Sequence, residues 1–151
     1  MTVRSARPAD LPELAELVAA TPLWQRYGVT VGSANAALEG ALEHAEVVLA
    51  AEQHGRLEGL AWVQPLAGFG RSPYLKWLGV APGETGRGLG RELLVEAERA
   101  ARAFRPELLL LCSDFNGDGQ RFYERNGYVR IGALADYVLT GVAELIYFKR
   151  F

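Results

Sequence analysis

Apolar residues dominate the run Tyr74-Leu75-Lys76-Trp77-Leu78-Gly79-Val80, which reads as a strand and stops at Pro82. The pattern then changes. Gly83, Gly86, Gly88 and Gly90 crowd one short turn, and Leu89, Leu93, Leu94, Ala97, Ala100, Ala101 and Phe104 follow at helical spacing. Arg91, Glu92, Glu96, Glu98, Arg99 and Arg102 fill the opposite face, and Pro106 bars continuation. A strand feeding a glycine-dense turn at a helix start is an anion site, because the unpaired first-turn N–H groups point outward with the positive end of the helix dipole behind them. The natural guest is a phosphate or pyrophosphate.

The rest of the chain follows the same two periods. Thr2 to Ala6 reads as a short strand. Asp10 and Glu13 suggest a capping box opening a helix that buries Leu11, Leu14, Leu17 and Val18 and ends at Thr21-Pro22. Leu23 to Gly28 is a loop or irregular helix carrying Trp24 and Tyr27. Ser33 is expected to cap a helix reaching about Ala45, and Val47–Ala51 and Leu57–Val63 form a hairpin through Gly55. Gln64 to Ser72 reads as a loop, Leu108–Cys112 as a strand covered on both faces, and Leu145–Phe151 as the closing strand. Strands and helices mixed in this order predict an α/β (α+β) domain spanning residues 1–151.

Composition narrows the function. A chain of 151 residues buries roughly 70% of its unfolded surface, enough for a real core. Sixteen basic against 18 acidic residues, with no basic block, argue against a nucleic-acid surface. No uncharged apolar run approaches the ~20 residues of a membrane span, so a soluble cytoplasmic protein is expected. The single Cys112 fits a reducing interior and is read as core packing. His44 and His54 have no carboxylate or cysteine at ligand spacing, so they read as solvated and no metal is expected.

Two nucleotide templates fail on specific residues. A G-x-G-x-x-G frame starting at Gly86 meets Arg91 at its third glycine, and a Walker A frame starting at Gly83 meets Leu89-Gly90 where Lys and Ser/Thr belong. Instead, Val80-Ala81-Pro82 followed by Gly88-Leu89-Gly90 resembles the acyl-CoA signature of the GCN5-related N-acetyltransferase (GNAT) superfamily, with Thr85 where Arg or Gln is usual. Asn116, Phe122, Tyr123, Gly127 and Tyr128 resemble its second signature, with Gly119 where Ala is usual.

The resemblance implies a mixed, mostly antiparallel sheet of six to seven strands flanked by about four helices, with a splayed central strand pair. It implies transfer of an acetyl group from acetyl-CoA to an amine by direct attack. Leu78, Gly79 and Val80 would meet the pantetheine arm, and Thr85, Gly86, Arg87, Gly88, Leu89, Gly90 and Arg91 the diphosphate, with Asn116, Phe122 and Tyr123 alongside. Tyr123 would serve as general acid, and Trp24 and Tyr27 would cover the acceptor. The superfamily often takes a base from the central strand, but residues 74–80 carry only Lys76 as a charged group. Asp114, just past a buried strand, is the named candidate, with Glu52 and Glu58 behind it. That gap leaves open a non-catalytic acyl-CoA-binding or sensory domain of the same fold. A homodimer is suggested by the superfamily alone.

Overall fold

Seven segments among the described residues become strands: β1 (Thr2–Ser5), β2 (Val47–Gln53), β3 (Arg56–Gly68), β4 (Ser72–Val80), β5 (Glu107–Ser113), β6 (Val129–Leu134) and β7 (Glu144–Arg150). The computed structural model describes residues 1–84 and 86–151; Thr85 lies outside the described residues. The strands form one sheet in the order β1-β2-β3-β4-β5-β7-β6, antiparallel everywhere except between β4 and β5. On one face lie α1 (Leu11–Ala20), α2 (Pro22–Arg26) and α3 (Val31–Glu43); on the other lie α4 (Leu89–Ala101) and α5 (Gly117–Arg125). Among the described residues, no helix is long and apolar enough to cross a membrane.

Each face has its own core. Leu93, Leu94 and Ala97 of α4 pack with Leu108, Leu110 and Tyr147, while Leu14, Val18 and Leu38 pack with Leu60 and Trp62 on the other side. Full burial of side chains this size stabilises by ~1.5–3 kcal/mol each, which is what fixes the helices to the sheet.

Several local expectations shift. The first capping box sits three residues early: Asp10 takes the backbone N–H of Arg7 at 2.7 Å, and Glu13 instead accepts from the N–H of Leu57 on β3 at 3.0 Å. The helix expected from Ser33 starts at Val31, with Thr30 as the cap and Ser33 returning the box from the third position. β3 runs on through Pro65 to Gly68; its pairing with β4 lapses between Gln64 and Gly68, where a residue without an N–H costs the ladder nothing. Glu98, placed on the solvent face of its helix by spacing, is buried, and there it pairs with Lys149 at 2.8 Å and accepts from the Tyr128 hydroxyl at 3.0 Å. A buried carboxylate survives because β7 supplies Lys149 and the residue just before β6 supplies the Tyr128 hydroxyl.

Asp10 also receives both terminal nitrogens of Arg4, at 2.7 and 3.0 Å, and this guanidinium holds its carboxyl well below the ordinary value of 3.8. Because the folded value is depressed, the stabilisation is complete above pH 3.8 and is lost as pH falls below it. Asp10→Asn should therefore lower the urea midpoint at pH 7, with the gap to the parent closing below pH 3.8. A gap that stays constant down to pH 2.5 would show that the ion pair contributes nothing.

Candidate functional site

The parallel pairing of β4 and β5 lasts only two residue pairs, Tyr74 with Leu109 and Leu75 with Leu110. Beyond Leu75 the strands part. β4 stays paired with β3 as far as Val80, and β5 pairs with β7 along its whole length, so each strand is held on its outer edge alone. A cavity of 1250 Å³ fills the parting and reaches both faces of the sheet.

A β-bulge sets which side chains face which half of it. Trp62 pairs with Trp77 and Val63 with Leu75, so Lys76 is the extra residue. Leu75, Leu78 and Val80 consequently face α4, while Trp77 joins Trp24 and Trp62 on the other side, at centroid distances of 5.6 and 5.0 Å. The bulge in β4 is thus at Lys76, three residues before Gly79. Gly79 serves a close approach: a Cβ there would stand 2.4 Å from Cη2 of Trp24.

On the α4 side, Gly88 caps the helix at φ +82, a conformation that side-chain-bearing residues rarely adopt. Gly86 and Gly88 have nothing within 4 Å of where a Cβ would lie, so their backbone faces open space. Leu89 sends its side chain into the core and offers only main chain, whereas Gly90 and Arg91 line the cavity. Arg87 lies outside the lining and pairs with Glu84 at 3.6 Å. These are the donors and the charge that a diphosphate requires.

Asn116 caps α5 by accepting the N–H of Gly119 at 3.0 Å. A Cβ on Gly119 would lie 2.4 Å from the Asn116 amide nitrogen, which accounts for glycine at that place. The helix carries Phe122 and Tyr123 to the cavity, and Tyr123 packs against Tyr128 and Tyr147 at 5.8 and 6.3 Å. Burial, with Cys112 and Tyr74 nearby, pushes its phenol well above 10. The group is therefore a protonated donor at neutral pH. Burial likewise pushes the Cys112 thiol up to about 12, so no thiolate is available for acyl transfer through cysteine.

On the α2 side, Tyr27 stacks on Phe115 at 6.2 Å, and Arg26 lies 3.6 Å over the same ring. The Tyr27 hydroxyl donates to Oε2 of Glu144 and shares a hydrogen bond with the Ser113 hydroxyl. Burial and the bond to Glu144 raise it to about 12. Asp114 does not reach the cavity: its carboxylate accepts the backbone N–H of Ala143 at 3.0 Å, fastening the chain just before Glu144. Glu52 pairs with Arg4 at 3.5 Å on β2, and neither it nor Glu58 lines the cavity. The carboxylate that does line it on this side is Glu144, 6% exposed and in register with Ser113. Sequence reasoning passed over it, because its partner across the sheet lies 31 positions earlier and only strand pairing joins the two.

The sequence model of the acetyltransferase (GNAT) domain family matches residues 43–130. Solved structures agree in fold. A ribosomal-protein-alanine N-acetyltransferase from Brucella melitensis is 24% identical over 100% of both chains, with a TM-score of 0.82. The yncA protein from Salmonella typhimurium, solved with its cofactor acetyl-CoA, is 21% identical over 99% of this chain and 93% of its own, at 0.80. An aminoglycoside 6'-N-acetyltransferase complexed with coenzyme A is 16% identical over 99% and 97%, at 0.82.

The close approach at Gly79 is directly testable. Gly79→Ala should cost about 1–3 kcal/mol of unfolding free energy in urea and shift the tryptophan emission as the Trp24 indole is displaced. An unchanged midpoint and spectrum would mean that the indole is not seated against that backbone.

Proposed function

Because the chain belongs to the acetyltransferase (GNAT) domain family, we propose that it is an N-acetyltransferase that moves the acetyl group of acetyl-CoA to a primary amine within a ternary complex. The observation that carries this reading is the parting of β4 from β5 with Tyr123 beside it and the glycine turn at one end.

The residues fit such a substrate. First-turn amides of α4 and those of Gly86 to Arg91 would hold the diphosphate, and Arg91 adds charge. Main-chain N–H groups around Leu78 and Val80, with no β5 partner at that level, would hold the pantetheine arm and polarise the thioester carbonyl. Tyr123 would protonate the departing sulfur, a role suited to a phenol kept neutral by burial.

The amine sets the remaining demand. An alkylammonium of pKa ~10.4 is neutral in only ~1 molecule in 2,500 at pH 7, a handicap of ~4.6 kcal/mol unless the site removes the proton. The amine surrenders two protons in all: one ends on the sulfur as the C–S bond breaks and the C–N bond forms, and one reaches solvent.

Acetyl-CoA at 100 times its dissociation constant should add ~2.7 kcal/mol of stability, a rise of roughly 5–10 °C in melting temperature for a chain of this size, while NAD and ATP leave it unchanged. No rise with acetyl-CoA would remove the basis of the assignment. Tyr123→Phe should lower kcat at least ~100-fold with acetyl-CoA affinity held within about twofold. Turnover equal to the parent would take Tyr123 out of the acid role.

A further inference from the structure

Glu144 is a buried carboxylate with an incomplete shell. A tyrosine hydroxyl has one proton, and Tyr27 gives its proton to Oε2 of Glu144, so the bond between Tyr27 and Ser113 must be donated by Ser113. The relay therefore runs from Ser113 to Tyr27 to Glu144 and delivers one hydrogen bond to one carboxylate oxygen. Among the described residues no Lys, Arg or His pairs with Glu144, although a charge at 6% exposure ordinarily has a cationic partner. The other buried carboxylates, Asp10, Glu98 and Glu107, each have one. Glu144 is thus a buried carboxylate that lines the cavity on the α2 side with no protein cation against it among the described residues.

The surroundings limit what could fill it. Trp24, Tyr74 and Trp77 wall that half, and three apolar residues stand out of the surface at its rim: Phe69 at 80%, Val138 at 58% and Tyr137 at 61% exposed. Large apolar side chains gathered around an opening mark a binding mouth. The remaining lining carboxylates, Glu84 and Asp118, belong to the glycine turn and the start of α5, and Arg87 and Arg121 already neutralise them. Lys76, in the bulge, also lines the cavity and would repel a second cation.

Resting on the acetyl-transfer reading, we propose that the acceptor is a small primary amine with a single positive charge and an apolar, aromatic-sized body. Its ammonium pairs with Glu144 and its body lies against Trp24, Tyr74 and Trp77. Glu144 takes the first proton from the ammonium and releases it to solvent; the freed nitrogen bonds to the acetyl carbon, the C–S bond breaks, and the sulfur gains its proton from Tyr123, which is restored by the second proton of the amine. Asp114 is a positioning residue, since its bond to Ala143 fixes the main chain next to Glu144.

The test is coenzyme A thiol release with 2-phenylethylamine and tryptamine against spermidine, kanamycin and glutamate, alongside quenching of tryptophan emission by 2-phenylethylamine in the CoA-saturated protein. Expected are a kcat/KM at least 10-fold higher for the aromatic monoamines, saturable quenching, and a loss of ~30-fold or more in kcat/KM for Glu144→Gln with acetyl-CoA affinity unchanged. Preference for the polycations or for glutamate overturns the inference and leaves the transferase reading intact. Acetyl-CoA binding with neither turnover nor quenching also overturns it. Failure to bind acetyl-CoA at all overturns both. Should Glu144→Gln not fold, the parent protein's acceptor panel and quenching decide alone.

Discussion

Strand β4 has a hydrogen-bonding partner along one edge and, past Leu75, none along the other. Backbone N–H groups that lose a ladder must find water or a guest, and a gap lined by such groups is prepared for an extended ligand that can complete the sheet. Every other feature of the site depends on this parting. β5 is held away by its full-length pairing to β7, and β4 by its pairing to β3, so the gap is a property of two rigid half-sheets and not of a loop. Lys76 contributes by bulging, which reverses the faces of the strand between Leu75 and Trp77 and turns an indole toward one half of the cavity and Leu78 and Val80 toward the other.

The parting divides the chemistry between the two faces. On the α4–α5 face lie the open glycine backbone, Arg91 and a phenol kept protonated by its removal from water. On the α1–α3 face lie the aromatic wall and a buried carboxylate bonded by Tyr27. In the proposed transfer the phenol would donate to the leaving sulfur and the carboxylate would accept from the incoming ammonium, each from its own side of one opening.

What could be read from the chain was local. The glycine turn, the amphipathic face of α4 and the Asn116 to Tyr128 segment each rest on spacings within a dozen or so residues, and the strand between Leu108 and Cys112 announces itself by unbroken apolarity. What could not be read was the product of pairing between distant segments. Glu144 escapes notice because nothing adjacent marks it, and its value comes from Ser113 across the ladder and Tyr27 from another layer. Asp114 sat at a strand end as a base should, yet its carboxylate turned to the Ala143 amide. Glu98 obeyed the helical pattern of a surface residue, but Lys149 from β7 and Tyr128, the residue before β6, make its burial stable.

The gap itself is what most needs measurement. Amide hydrogen exchange, followed residue by residue by NMR with and without saturating coenzyme A, addresses it directly. The account predicts slowed exchange at amides between Trp77 and Val80 and between Gly86 and Arg91, with β1 and β2 unaffected. Protection confined to other segments, or absent along β4, would contradict the claim that the ligand completes the sheet where β4 and β5 separate.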